Sequence, residues 1–269
     1  MRICVIFNPA ARGNKARRFR ARFAELSQQC ALKATTAPGD ARRFAQAAVA
    51  TGYDVIVAAG GDGTVNVFAR ELNIPLRLES AWKMLKRAQE TKIDLGRVDF
   101  LEDGKPAQRY FMQLAGAGLD ARAIELVSWK LKKSAGPLAY VVAGFQALVE
   151  KQPKLSVSAD GKKLEGELAL IGNGRLYGGT FDIFPGADLR DGLLDVCVFP
   201  GVGLASLLRL APGFIARRKL SEQLVRRLRA QKLEVTSETP VAFELDGEWI
   251  GHLPATFSVE RQKLRVVVP

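Results

Sequence analysis

The run Asp54-Val55-Ile56-Val57-Ala58-Ala59 breaks directly into Gly60-Gly61-Asp62-Gly63-Thr64. A short β-branched run ending in paired glycines predicts a buried parallel strand that closes in a tight turn. Glycine lets the backbone approach a ligand closely and adopt positive φ. Successive backbone N–H groups in such a turn can hold phosphate oxygens. An acid inside a phosphate-binding turn repels phosphate unless a divalent cation stands between them. Asp62 therefore points to a metal-nucleotide site, because a purely structural turn would need the glycines but not the acid.

Four further aspartates stand before glycines, at Asp103, Asp160, Asp191 and Asp246. Asp-Gly is a good hairpin turn in its own right, and Asp103 and Asp160 need no other explanation. Asp246 differs because Glu248 follows it in an otherwise apolar neighbourhood. Asp191 differs because a second acid, Asp195, lies inside the apolar run that follows. The single histidine, His252, lies in a Gly-His-Leu-Pro turn and reads as a surface residue, so triad chemistry lacks a partner.

The elements that would position these residues change character along the chain. Arg2–Phe7, Ala31–Thr36 and Asp54–Ala59 read as strands, and Asn14–Gln29 and Asp40–Thr51 as helices. This βαβαβ order implies a parallel sheet with right-handed crossovers, whose ligands gather at the carboxyl ends of the strands. The loops Asn8–Gly13 and Gly60–Thr64 both fall there. From about residue 91 the pattern becomes short segments separated by turn signals: Lys92–Val98, Arg109–Leu114, Lys154–Ala159, Glu167–Ile171, Leu193–Phe199, Lys232–Thr236, Val241–Leu245, Ala255–Glu260 and Lys263–Val268. These predict an antiparallel sandwich, interrupted by helices near Ala121–Val149 and Gly203–Arg229. The expected fold is thus an α/β nucleotide-binding domain over 1–95 and a β-sandwich-like domain with inserted helices over 96–269, whose last strand could return to the first domain.

The 269 residues carry 40 basic and 28 acidic side chains, a net charge of +12. That excess favours an anionic partner: nucleic acid, an anionic membrane surface or a phosphorylated substrate. Cys4, Cys30 and Cys197 are far apart and odd in number, which excludes a zinc site or a disulfide framework and suits a reducing cytoplasm. The longest chargeless stretch, Ser134–Val149, contains Gly136, Pro137 and Gly144 and is too short and broken to span a bilayer. Any membrane contact is expected to be peripheral.

Three stretches together carry a resemblance. They are Asn8-Pro9-Ala10-Ala11-Arg12-Gly13, Gly60-Gly61-Asp62-Gly63-Thr64-Val65-Asn66 and Leu189-Arg190-Asp191-Gly192-Leu193-Leu194-Asp195-Val196; Leu245-Asp246-Gly247-Glu248 fits the same picture. The chain resembles a bacterial member of the diacylglycerol kinase and sphingosine kinase family over nearly its whole length. NAD kinases also carry GGDGT, but the DGLLDV and DGE stretches favour the lipid-kinase branch. The resemblance implies ATP-dependent phosphorylation of a lipid hydroxyl in a cleft between an α/β domain and a β-rich domain. It places the nucleotide phosphates on Asn8, Gly13, Gly60, Gly61, Asp62, Gly63 and Thr64. It makes Asp246, with Glu248 beside it, the base that takes the hydroxyl proton. It implies a structural Mg²⁺ on Asp191, with Leu193 and Asp188 as carbonyl donors, and a place for Asp94 of Ile93-Asp94-Leu95-Gly96 in a metal-water network. The partner implied is a lipid at an anionic membrane surface, with no nucleic acid expected, for a cytoplasmic protein peripheral to the inner face of the membrane. The chemistry is consistent with this, since phosphoryl transfer needs positioning, charge neutralisation by Mg²⁺ and a group near the attacking hydroxyl.

One departure from the family pattern stands out. There, GGDGT-x-N leads into a helix, a further strand and a second loop of the GTxN type. Here Asn66 runs directly into Val67, so that loop and strand are missing. Alternatives to the lipid kinase are therefore an NAD-kinase-like enzyme with a soluble acceptor, and a nucleotide- or anion-binding relative without catalysis. Two stretches are candidate membrane contacts. Gly203–Arg229 mixes Leu204, Leu207, Leu208, Phe214 and Ile215 with many arginines and suits an interfacial helix, although packing on the sandwich with a solvated basic face is equally expected. Trp129 with Lys130, Lys132 and Lys133 is the second.

Overall fold

Ile3-Cys4-Val5-Ile6-Phe7 is apolar at every position, as a central strand needs, and all five residues are buried in β1 (Ile3–Phe7). The computed structural model describes residues 1–9, 21–37, 39–59, 64–85, 89–126, 152–177, 181–202 and 224–269. The chain divides into two compact units, Met1–Gln89 with Val268–Pro269, and Glu90–Val267.

In the first unit, α1 (Phe23–Ser27) and β2 (Ala31–Ala34) lead to α2 (Asp40–Ala50). The Asp40 carboxylate accepts the N–H groups of Thr36 and Ala37 at 2.8 and 3.0 Å, which fixes the turn into the helix. Then come β3 (Val55–Ala59), α3 (Thr64–Glu71) and α4 (Leu78–Leu85). The sheet order is β2-β1-β3, all parallel, as the βαβαβ pattern implies. β3 pairs only with β1 among the described residues. Its side chains are half-exposed although nearly all apolar, whereas β1 is fully buried. That contrast is what the missing segment after Asn66 would leave: an apolar strand without its outer neighbour.

The second unit opens with β4 (Gln89–Glu102), β5 (Lys105–Phe111) and β6 (Leu114–Gly118), followed by α5 (Leu119–Leu126). Residue 95 lies in the middle of β4, so the division between units falls where that strand begins. Next are β7 (Leu155–Ala159), β8 (Lys162–Gly166), β9 (Leu168–Gly172), β10 (Leu176–Tyr177) and β11 (Phe181–Asp182). The chain ends with β12 (Leu194–Phe199), β13 (Arg226–Ala230), β14 (Lys232–Ser237), β15 (Ala242–Leu245), β16 (Glu248–His252) and β17 (Ala255–Val268). Two six-stranded antiparallel sheets result, ordered β13-β12-β9-β6-β15-β16 and β5-β4-β17-β14-β7-β8. Phe100, Phe111, Phe243 and Phe257 join their inner faces, with Phe243 edge-on to both Phe100 (5.2 Å) and Phe257 (6.0 Å).

Two expectations need correction. Arg226–Ala230 is a strand and not the end of a helix, because Leu228 and Ala230 alternate inward at period two while the arginines between them point out. The basic groups assigned to an interfacial helix at Arg226, Arg227 and Arg229 therefore belong to the sheet. The segments Ala255–Glu260 and Lys263–Val268 form one continuous strand, with Gln262 at φ 49° in its middle. The stretch 203–223 and the Trp129–Lys133 cluster lie outside the described residues. No helix among the described residues is long and apolar enough to cross a membrane.

Candidate functional site

The parallel sheet brings the two phosphate-loop candidates side by side. Phe7, the last residue of β1, pairs with Ala59, the last residue of β3, so the segments beginning at Asn8 and Gly60 leave neighbouring strands at the same level. β2 lies on the other side of β1, so the direction of winding reverses between β1 and β3. That reversal is where open α/β sheets bind ligands. Thr64 is the first residue of α3, which places the GGDGT turn between a strand end and a helix start, a setting suited to phosphate. Gly13, Gly60, Gly61, Asp62 and Gly63 lie outside the described residues.

In the second unit, Asp246 and Gly247 form the hairpin turn between β15 and β16, both at positive φ (49° and 88°). Asp103-Gly104 and Asp160-Gly161 make the same turn (50° and 74°, 48° and 74°). What distinguishes Asp246 is its side chain. It accepts three backbone N–H groups where β5 passes into β6, from Met112 at 2.7 Å, Gln113 at 2.9 Å and Leu114 at 3.1 Å. Burial raises its pKa above the ordinary aspartate range, the three amides pull it back, and Glu248 adds to the rise. A rigidly held carboxylate with raised basicity suits proton abstraction. Glu248 is exposed beside it, next to Trp249, whose ring meets His252 edge-on at 5.8 Å.

Asp94 is buried to 1% exposure, and its two oxygens accept the N–H groups of Gly192 at 2.8 Å and Gln262 at 2.7 Å. It ties three segments of the sandwich together through their backbone amides. Asn173 extends the connection by donating to the carbonyls of Asp94 (3.0 Å) and Met112 (2.8 Å). Met112 in turn donates to Asp246. One hydrogen-bonded path therefore links Gly192, Asp94, Asn173, Met112 and Asp246, and carries two of the acids picked from the sequence, Asp94 and Asp246.

In the loop at Asp188–Leu193, where the resemblance implies a structural Mg²⁺, the acids are engaged by protein donors. Asp191 uses one oxygen on the Leu193 N–H (2.9 Å) and the other on the Arg229 guanidinium. Arg229 also donates to Asp195 at 3.0 Å and to the Gly186 carbonyl at 3.1 Å. Asp188 accepts the Arg190 N–H at 3.0 Å, and its carbonyl takes the Asp191 N–H at 3.2 Å. Arg229 supplies positive charge beside Asp191, and each Asp191 oxygen accepts one protein hydrogen bond. We expect EDTA to shift the melting midpoint of the nucleotide-free protein by less than about 1 °C. Arg229→Met should lower that midpoint by about 2–8 °C, from a loss of about 1–2 kcal/mol at a partly exposed pair. A wild-type midpoint that falls in EDTA and returns with Mg²⁺ would restore the metal assignment to Asp191, Asp188 and Leu193.

Asn173 and Arg229 were not visible as site residues. Asn173 could have been found from its place between two glycines at the end of the apolar run Leu168–Ile171. Arg229 could have been found only by knowing that it pairs with Asp195 across β12 and β13.

The comparisons agree with this architecture. The model described as "Diacylglycerol kinase catalytic domain" matches residues 2–67, and "YegS C-terminal NAD kinase beta sandwich-like domain" matches 113–268. The first match stops at Val67, beside the junction where the sequence lacks its second loop. The chain is 28% identical to the diacylglycerol kinase of Bacillus subtilis (strain 168) over 275 aligned positions, covering 92% of this chain and 88% of that one. It is 35% identical to "Probable lipid kinase YegS-like" of Stenotrophomonas maltophilia (strain K279a), over 82% of this chain and 80% of the relative. A diacylglycerol kinase structure from Bacillus anthracis str. Sterne superposes with a TM-score of 0.74 at 19% identity, covering 100% of this chain and 97% of that one. The chain belongs to the bacterial branch of the diacylglycerol kinase family, together with the YegS-like lipid kinases.

Proposed function

We propose that this protein is an ATP- and Mg²⁺-dependent lipid kinase whose acceptor is the hydroxyl of diacylglycerol or a related lipid alcohol. The observation that carries this is the Phe7–Ala59 pairing, which starts the Asn8 and Gly60 segments side by side at the sheet's reversal point, in a chain of a kinase family. ATP supplies the phosphoryl group, and Asp62, as an acid in a phosphate turn, would hold a Mg²⁺ that neutralises the phosphate charge. Asn8, Gly13, Gly60, Gly61, Gly63 and Thr64 bind and orient the polyphosphate. Asp246 takes the proton of the acceptor hydroxyl as its oxygen bonds to the γ-phosphorus and the bond to the β-phosphate oxygen breaks. Glu248 lies beside it and keeps the field there negative. The net charge of +12 favours approach to an anionic membrane surface, where the lipid is found.

The assay is direct: mixed micelles of diacylglycerol with Mg-ATP should yield phosphatidic acid, and NAD in place of the lipid should yield no NADP. Product from NAD alone would replace the lipid kinase with a soluble-acceptor enzyme. A second reading rests on the half-exposed strand β3 and on the family match that ends at Val67: a relative that binds nucleotide without turnover. Calorimetric binding of Mg-ATP with no product from either acceptor would select it.

A further inference from the structure

Glu244 breaks the sandwich pattern. On β15, Phe243 and Leu245 face the core between the sheets, so Glu244 belongs to the outer face. There α5 packs over β6, β15 and β16, and Glu244 is only 1% exposed. Its direct partner across the β6–β15 ladder is Gly116. A Cβ at Gly116 would stand 2.9 Å from Glu244 Oε1 and 3.0 Å from Asp120 Oδ2. Two carboxyl oxygens therefore converge on the space left by one glycine.

The surrounding hydrogen bonds account for one oxygen of each carboxyl. Glu244 Oε2 accepts the Gly247 N–H at 2.6 Å, and Asp120 Oδ1 accepts the Tyr177 hydroxyl at 3.0 Å. Glu244 Oε1 is buried with no partner. The other titratable groups acting here are Tyr177 and Asp246, and neither supplies positive charge. Among the described residues no lysine, arginine or histidine hydrogen-bonds or ion-pairs with Glu244 or Asp120. Two adjacent anions in such a place would be costly, and an acceptor left without a donor is costly as well. One proton removes both costs.

We propose that Glu244 and Asp120 hold a single proton between them, donated from one carboxyl to the other across Gly116, and that the neutralised Glu244 is a positioning residue. Through the Gly247 amide it sets the tight turn that carries Asp246 and Glu248. Only the consequence for turnover rests on the kinase reading; the shared proton does not.

The sign of the pH effect follows from the direction of the shift. Burial first, then the Asp120 charge, raise the Glu244 carboxyl well above its ordinary value, while the Gly247 amide opposes them; Asp120 is raised by its own burial. An unfolded glutamate releases its proton near pH 4.5. Above that the unfolded chain loses a proton that the folded pair keeps, so stability falls with rising pH until the folded pair titrates. Glu244→Gln removes this loss and keeps both hydrogen bonds, because the amide oxygen can face Gly247 and its NH₂ can face Asp120.

The melting midpoint of E244Q should match wild type near pH 4.5 and exceed it increasingly at higher pH, by about 3–5 °C per pH unit until the folded pair titrates. Asp120→Asn should give the same widening. The infrared difference spectrum between wild type and E244Q at pH 7 should contain the carbonyl stretch of a protonated carboxylic acid from the wild type. A midpoint gap constant with pH, or a difference spectrum without that band, would overturn the proposal. Lipid phosphorylation by E244Q should persist into the alkaline range where the folded wild-type pair titrates and its activity declines; inactivity of both proteins at every pH would count against the kinase reading and leave the infrared result intact.

Discussion

Asp246→Asn is expected to lower lipid phosphorylation by about 10²- to 10⁴-fold, the usual worth of a positioned general base. The structure adds that this variant also loses stability. Three backbone N–H groups converge on the two carboxylate oxygens, two on one and one on the other. An asparagine amide offers one oxygen and one NH₂, so in either orientation at least one main-chain donor faces another donor. The cost is about 1–3 kcal/mol, or several degrees of melting temperature. The rate must therefore be measured well below the new midpoint. Glu248→Gln is the control, because Glu248 is exposed and holds no backbone; it should melt with the wild type and lose less than about tenfold in rate. Normal turnover by the Asp246 variant would end its assignment as the base, and a large loss confined to the Glu248 variant would move that role two residues along.

This double use of Asp246 shows where sequence reasoning reached and where it stopped. The parallel βαβαβ unit was legible because its strands are continuous apolar runs and its helices carry period-3.6 stripes. Most sandwich strands were legible from period-two alternation bounded by Asp-Gly turns, three of which have the same backbone geometry. Arg226–Ala230 was not, because Arg-Arg-Leu-Arg-Ala offers only two inward residues and follows a long stretch of helical spacing. The acids were legible as a set but not in their separate tasks. Asp191 and Asp246 precede glycines and Asp94 stands two residues before one, and nothing local says which carboxylate will meet an arginine and which will meet amides. Those partners lie far along the chain: Arg229 for Asp191, Gln262 for Asp94, Met112 for Asp246. The Glu244–Asp120 pair was invisible for the same reason, since it exists only because Gly116 lies opposite Glu244 across a ladder.

Asp94→Asn separates a structural acid from a metal-supporting one more sharply than any other change in this unit. Each Asp94 oxygen serves one amide, Gly192 on one side and Gln262 on the other, and the aspartate itself is 1% exposed. The asparagine NH₂ must oppose one of these N–H groups. The lost charge-assisted bond and the orphaned donor together cost about 2–4 kcal/mol, which lowers the melting midpoint by about 10 °C. The damage should spread along the path through Asn173 and Met112 and loosen the amides that hold Asp246. Hydrogen exchange at Gly192, Gln262 and Met112 should therefore quicken together, while added Mg²⁺ changes neither the midpoint nor the exchange. If Asp94 acts instead through a bound metal, the variant keeps the wild-type midpoint, loses its activity and recovers it as Mg²⁺ is raised. The two outcomes differ in every measured quantity, so a single variant decides whether this aspartate holds the fold or serves the metal.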